Sequence, residues 1–97
     1  MSDLAKTPTV YNKTLTSADT EYSQLLPNGT RDIRFRCRTS YDVRYAFVTG
    51  KVATPTAPYL TLPASCDYLS DRNDFSGKTI YFASATAGVV VELEVWT

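Results

Sequence analysis

Arginines alternate with other residues in one short stretch of this sequence, at Arg34, Arg36 and Arg38. Guanidinium groups spaced in this way can grip phosphates or an acidic protein surface. The same side chains could instead be solvated or paired with Glu92 and Glu94, which have the same spacing near the end of the chain. A nucleic-acid site would need aromatic rings on the arginine face, and Phe35 points the other way. The pattern favours a solvated or internally paired face, followed by a protein-binding face.

A second candidate is the loop of residues 66–77, which concentrates Asp, Asn and Ser side chains. Calcium binds several such oxygens at flexible spacing, but Arg72 interrupts the run and the spacing matches no calcium loop. Asp, Asn, Ser and Gly are also the residues that tight turns require. We therefore expect a turn here and predict no metal or cofactor.

Seven tyrosines and one tryptophan are many for this length. Aromatic rings pack within sheets, anchor protein interfaces or stack on sugars, so three interpretations are open. Sheet packing is the favoured one, because tyrosine is a strong strand former. The tyrosines concerned are Tyr41, Tyr45, Tyr59, Tyr68 and Tyr81.

The composition contains few of the side chains on which enzymes rely for catalysis. The chain has no histidine, which excludes Ser-His-Asp and Cys-His catalysis and histidine-ligated zinc. Paired carboxylates occur at Asp71 and Asp74 and at Glu92 and Glu94, but neither spacing makes an acid/base pair without a pocket. The sequence therefore predicts a protein that is not an enzyme.

Short alternating segments must position all of these side chains. Ile33, Phe35 and Cys37 alternate with the arginines, so this strand has one apolar and one cationic face. Turn residues recur about every 8–12 positions, which is the spacing of short strands rather than of helices. The predicted strands span residues 10–16, 22–26, 32–38, 43–49, 59–62, 67–69, 79–83 and 89–96.

About eight short strands predict an all-β fold: a compact two-sheet β-sandwich or jelly-roll-like domain, with a small closed barrel as the alternative. Residues 10–97 form this single domain, and residues 1–9 are predicted to be a flexible, extended N-terminal arm. The turn at residues 87–88 is predicted to close a hairpin between Tyr81 and Val91. Residues 54–58 are predicted to form an exposed Pro-rich loop. The predicted core is Ile33, Phe35, Cys37, Ala46, Val48, Leu60, Leu62, Ile80, Phe82, Val89, Val91, Leu93 and Val95.

The length and the net charge of the chain exclude further classes of function. A chain of 97 residues has room for one small domain. Ten basic residues balance ten acidic ones, so the overall field does not attract nucleic acid or an anionic membrane. The first six residues lack the basic and apolar segments of a secretory signal, which predicts folding in a cytoplasm. In that reducing compartment Cys37 and Cys66 are expected to be free thiols.

Three stretches carry a resemblance to a known class of proteins: residues 34–47, 79–85 and 87–96. The first predicts a strand, a turn and a second strand, and the last is the alternating segment that ends at Trp96. With these motifs the sequence resembles small virion proteins of tailed bacteriophages over residues 10–97. The resemblance implies a β-sandwich that coats or joins the particle, such as a capsid decoration (cement) protein, located in the virion after assembly in the host cytoplasm.

The implied partners are the major capsid protein or other virion proteins, together with further copies of the chain, for which a trimer is favoured. A neck, tail or fibre joining component is one alternative, and a carbohydrate-binding module contacting the host surface is the other. The arm, the arginine face and the Pro-rich loop are the expected contact regions. The candidate contact residues are Leu4, Lys6, Pro8, Arg34, Arg36, Arg38, Tyr41, Arg44, Pro55, Pro58 and Tyr59.

Overall fold

The computed structural model describes residues 8–70 and 74–97. Most of the predicted arm and part of the predicted turn, residues 1–7 and 71–73, lie outside the described residues. Within the described ranges the regular structure is all strand. These ranges therefore contain no helix that could cross a membrane. The strands are β1 (Thr9–Leu15), β2 (Tyr22–Leu25), β3 (Asp32–Cys37), β4 (Val43–Ala46), β5 (Leu60–Leu62), β6 (Asp67–Ser70), β7 (Thr79–Ala83) and β8 (Val89–Trp96).

The strands form two four-stranded antiparallel sheets. Sheet I has the order β1-β8-β3-β6, and sheet II has the order β2-β7-β4-β5. Only the connection from β4 to β5 stays within one sheet, and every other connection crosses to the opposite sheet. This is the strand order of an eight-stranded jelly roll. The predicted all-β, two-sheet fold is therefore confirmed, and each predicted strand has a counterpart.

The core lies between the inner faces of the two sheets. All four odd-numbered residues of β8 are buried and the residues between them are half-buried, as the alternation predicted. Phe35 of β3 joins the sheets at the centre, because its ring contacts Tyr45 of β4 and Phe82 of β7 at centroid separations of 5.0 and 5.2 Å. Tyr68 of β6 stacks on the same ring at 4.7 Å.

Two predicted core residues are wrong: Val48 and Leu60 are both exposed. β4 ends at Ala46, before the predicted end at residue 49, so Val48 lies in the following loop. Leu60 lies on β5, which has a neighbouring strand on one side only. A different residue of the loop, Val52, is fully buried.

The predicted hairpin between β7 and β8 is also wrong, because these strands belong to different sheets. After β7 the buried Ser84 hydroxyl donates a hydrogen bond of 3.0 Å to the carbonyl of Asp42. The carbonyl of Ser84 accepts the N–H of Asp19 at 2.7 Å. These bonds hold the chain at the rim of sheet II before it turns at Gly88, where φ is +79°, and enters sheet I.

Residues 47–59, the loop between β4 and β5, cover part of the outer face of sheet II. Val52 packs there against Ala46 and Ala83 in a second, smaller apolar cluster. The Pro-rich part of this loop is exposed, as predicted: Pro55 and Pro58 both face solvent.

Candidate functional site

The arginine stripe lies on the outer face of sheet I. β3 runs between β8 and β6, and its even-numbered residues point outward because the odd-numbered ones are buried in the core. In the register of β3 and β8, Arg34 lies opposite Glu94 and Arg36 opposite Glu92, which confirms the pairing that their spacing predicted. We name this surface the charged face. It consists of Arg34, Arg36, Arg38, Glu92 and Glu94.

Ion pairs tie the arginines of the charged face to neighbouring strands. Glu92 accepts two of them: Arg36 Nε donates to Oε1 at 3.0 Å, and Arg38 Nε donates to Oε2 at 2.9 Å. Arg34 pairs with Asp67 of β6 at 3.2 Å rather than with Glu94. These charges are partly exposed and offset one another, so the face is suited to a polar protein surface more than to a polyanion.

The double pairing of Glu92 has a measurable consequence. The hydrogen bond from Arg38, and then that from Arg36, holds the pKa of the Glu92 carboxyl below its ordinary value of 4.5. Because the folded-state pKa is depressed, the pairing favours the folded state above about pH 4.5, and this contribution disappears as the pH falls through the folded-state pKa. Arg38→Gln is expected to raise the pKa of Glu92 toward 4.5, as measured by an NMR titration of its carboxyl carbon.

The matched control for that titration is Arg31→Gln, which removes an exposed arginine outside the charged face. Arg31 is not among the causes of the Glu92 pKa shift, so this variant is expected to leave the titration unchanged. Equal titration curves for Glu92 in both variants would contradict the pairing.

Among the described residues, two open grooves lie along the charged face. One, of about 250 Å³, is lined by Val10 of β1 and by Arg34, Arg36, Glu92 and Glu94. The other, of about 410 Å³, lies beyond the end of β3, beside Cys66. Neither groove is lined by an exposed aromatic ring in the described part of the chain, so the stacking platform of a sugar site is not assembled at either.

Arg44 occupies a different environment from the other candidate arginines. Its side chain is only 14% exposed and lies beneath the β4–β5 loop. Arg44 Nε donates to the carbonyl of Val52 at 2.7 Å, and Nη2 donates to the Ala53 carbonyl at 3.3 Å and to Asp19 at 2.7 Å. Arg44 therefore anchors the loop from inside and does not belong to the contact surface that we propose.

The remaining candidate contact residues that the structure describes do not form one surface. Pro55, Pro58 and Tyr59 are exposed in or next to the loop that covers sheet II, away from the charged face. Tyr41 is exposed in the turn between β3 and β4. Pro8 is half-buried just before β1, which begins at Thr9, within the predicted arm. Leu4 and Lys6 lie outside the described residues.

The two cysteines are free thiols. Cys37 is buried in the core, as predicted, and its sulfur accepts the N–H of Tyr41 at 3.4 Å. Cys66 is exposed at the second groove. Over residues 8–70 and 74–97, no group of three or more Cys, Asp and Glu side chains is placed to hold a metal ion.

Sequence reasoning missed one set of exposed apolar residues. Every edge strand of the two sheets carries a large apolar side chain that is more than half exposed. These residues are Val10 on β1, Leu25 on β2, Leu60 on β5 and Leu69 on β6. The alternation of β1 does place Val10 out of phase with the buried Leu15, but nothing in the sequence marks β1 as an edge strand.

Comparisons with known proteins extend the description of the fold but not of the function. No protein-family model matches the chain, and no curated protein matches it. A similar solved structure is a de novo designed double-stranded β-helix determined by solution NMR, with a TM-score of 0.54 and 10% identity. The match covers 93% of this chain and 97% of the designed one. At this identity the likeness concerns the fold alone, and it agrees with the two-sheet architecture.

Proposed function

We propose that this protein is a non-enzymatic virion structural protein that binds and stabilises a bacteriophage capsid, in the manner of a decoration protein. The observation that carries the proposal is the exposed apolar side chain on each of the four edge strands. An edge strand with an exposed apolar side chain offers both unpaired backbone groups and apolar area to another protein.

The edge strands suit this role because they combine apolar contacts with free backbone groups. An edge strand presents unpaired N–H and C=O groups along one side, and a partner's strand or extended segment can bond to them. Several such edges on one small domain allow it to touch more than one neighbour in a shell. Multivalent contact of this kind gives strong attachment without any single large interface.

The jelly-roll architecture and the charged face are consistent with the same role. Jelly rolls recur in viral capsid proteins, although they also occur in lectins and cupins, so the fold alone does not select the function. The charged face offers both signs of charge side by side, which favours a complementary protein surface. The partners proposed are the major capsid protein or other virion proteins, and further copies of this chain.

The copy number per purified virion tests this proposal. We expect hundreds of copies per particle when the protein is quantified by mass spectrometry against the major capsid protein. About a dozen copies would favour the neck, tail or fibre instead, because such components form rings or tips of low copy number. Absence from the particle would overturn the virion role.

A pair of variants tests the contribution of the edges in the same experiment. Leu69→Lys places a charge on the edge strand β6, whereas Val48→Lys replaces another exposed apolar residue, which lies in a loop. The first is expected to lower the copy number about tenfold and the second to leave it unchanged. Equal copy numbers for the two variants would contradict the role of the edge strands.

A further inference from the structure

We propose that two copies of this chain associate through β1: their Thr9–Leu15 strands pair antiparallel and join sheet I of one copy to sheet I of the other in one continuous sheet. The occupant of this edge is a second copy, related to the first by a two-fold axis. The inference concerns the chain itself and does not depend on the proposed role in the virion.

The backbone of β1 is positioned for such pairing. The carbonyl of Val90 in β8 accepts the N–H of Arg38 at 2.8 Å, so the even-numbered residues of β8 bond to β3 and the odd-numbered ones to β1. In the register of β1 and β8, each odd-numbered residue of β1 lies opposite an odd-numbered residue of β8, so the odd-numbered residues of β1 are the ones that bond to β8. The backbone N–H and C=O groups of Val10, Asn12 and Thr14 therefore point away from the sheet. No described residue hydrogen-bonds to them.

β1 is also the edge best suited to pairing among those described. It has seven residues, against four, three and four in β2, β5 and β6. The side chains on its outward face are Val10, Asn12 and Thr14, which are uncharged. A long edge strand without proline or outward charge is the kind that pairs with another chain.

One register uses all of the unpaired backbone groups. It places Asn12 opposite Asn12 of the second copy, and Val10 opposite Thr14. These pairings form about six interchain hydrogen bonds, two for each directly bonded pair. In the same register, the exposed part of the Val10 side chain and the methyl group of Thr14 of the second copy cover each other.

Lys13 decides whether this register is tolerated. An inward-facing lysine on an edge strand ordinarily discourages pairing. In the two-fold register, however, Lys13 lies opposite Tyr11 of the second copy, so an ammonium group meets an aromatic ring and not another ammonium. The chain has zero net charge, so no general repulsion separates the copies.

Two double variants that differ at one position test the register. Val10→Lys with Thr14→Lys places like charges opposite each other twice in the dimer, whereas Val10→Lys with Thr14→Glu places opposite charges there. Both positions are exposed and lie on the outer face, so each monomer is expected to remain folded, as checked by circular dichroism and urea unfolding. The mass in solution is measured by sedimentation velocity and light scattering on the full chain, from micromolar to millimolar concentration.

We expect a dimer for the unmodified chain, at least about tenfold weaker dimerisation for the Lys/Lys variant, and recovery in the Lys/Glu variant. Asn12→Pro offers a second route, because it removes an N–H that points away from β8 and so blocks pairing without breaking a bond inside the sheet. A monomer at all concentrations would overturn the proposal, as would a trimer or equal weakening by both double variants. The copy number in virions is measured separately, so failure of this inference is distinguishable from failure of the proposed function.

Discussion

Phe35→Ala is expected to destabilise the domain by about 3–5 kcal/mol, a large part of the total stability of a small domain. Phe35 is 1% exposed, and its ring contacts residues of both sheets: Tyr45, Phe82 and Tyr68. Replacement by alanine leaves a cavity that these neighbours cannot fill, because each is held by its own strand. Urea unfolding followed by circular dichroism measures the free energy of unfolding directly.

The matched control is Leu69→Ala, which also removes a large apolar side chain from sheet I. Leu69 of β6 lies opposite Arg34 of β3 and is 69% exposed. Its removal is therefore expected to change the free energy of unfolding by less than about 0.5 kcal/mol. Similar unfolding midpoints for the two variants would mean that Phe35 does not join the sheets as its ring contacts indicate.

The strands could be predicted because their signal is local. Alternation of apolar and polar residues identified β3 and β8, and in each the buried and outward-facing residues alternate as expected. The equal spacing of the arginines and of Glu92 and Glu94 also predicted that these strands pair, because cross-strand charges are complementary only in such a register.

The order of the strands could not be predicted, because it depends on contacts between distant parts of the chain. The turn at Gly88 is the same whether it joins strands of one sheet or of two, so the supposed hairpin had no local signal against it. Leu60 follows the core alternation but lies on an edge strand, where one side has no neighbour. The pairing of Arg34 with Asp67 likewise required knowing that β6 lies beside β3.

Arg44→Met is expected to destabilise the domain by about 2 kcal/mol and to loosen the β4–β5 loop. The substitution keeps the apolar stem but removes the donors to the carbonyl groups of Val52 and Ala53. Val52 is fully buried, so its carbonyl loses a bond from a charged donor in a site with little access to water. Urea unfolding measures the loss of stability. Trypsin cleavage after Lys51, identified by mass spectrometry, reports on the loop itself.

Asp19→Asn separates the anchoring of the loop from the ion pair. The Asp19 side chain is 58% exposed and its carboxylate accepts one bond, from Nη2 of Arg44, so its neutralisation is expected to leave both stability and the rate of cleavage after Lys51 nearly unchanged. If Arg44→Met also leaves both unchanged, the loop is held by the packing of Val52 and by the hydrogen bonds from Thr49 and Gly50 to Glu21 rather than by Arg44. If only Arg44→Met accelerates cleavage, Arg44 positions the loop that presents Pro55 and Pro58, and a loss of partner binding in that variant reflects loop order rather than a lost contact.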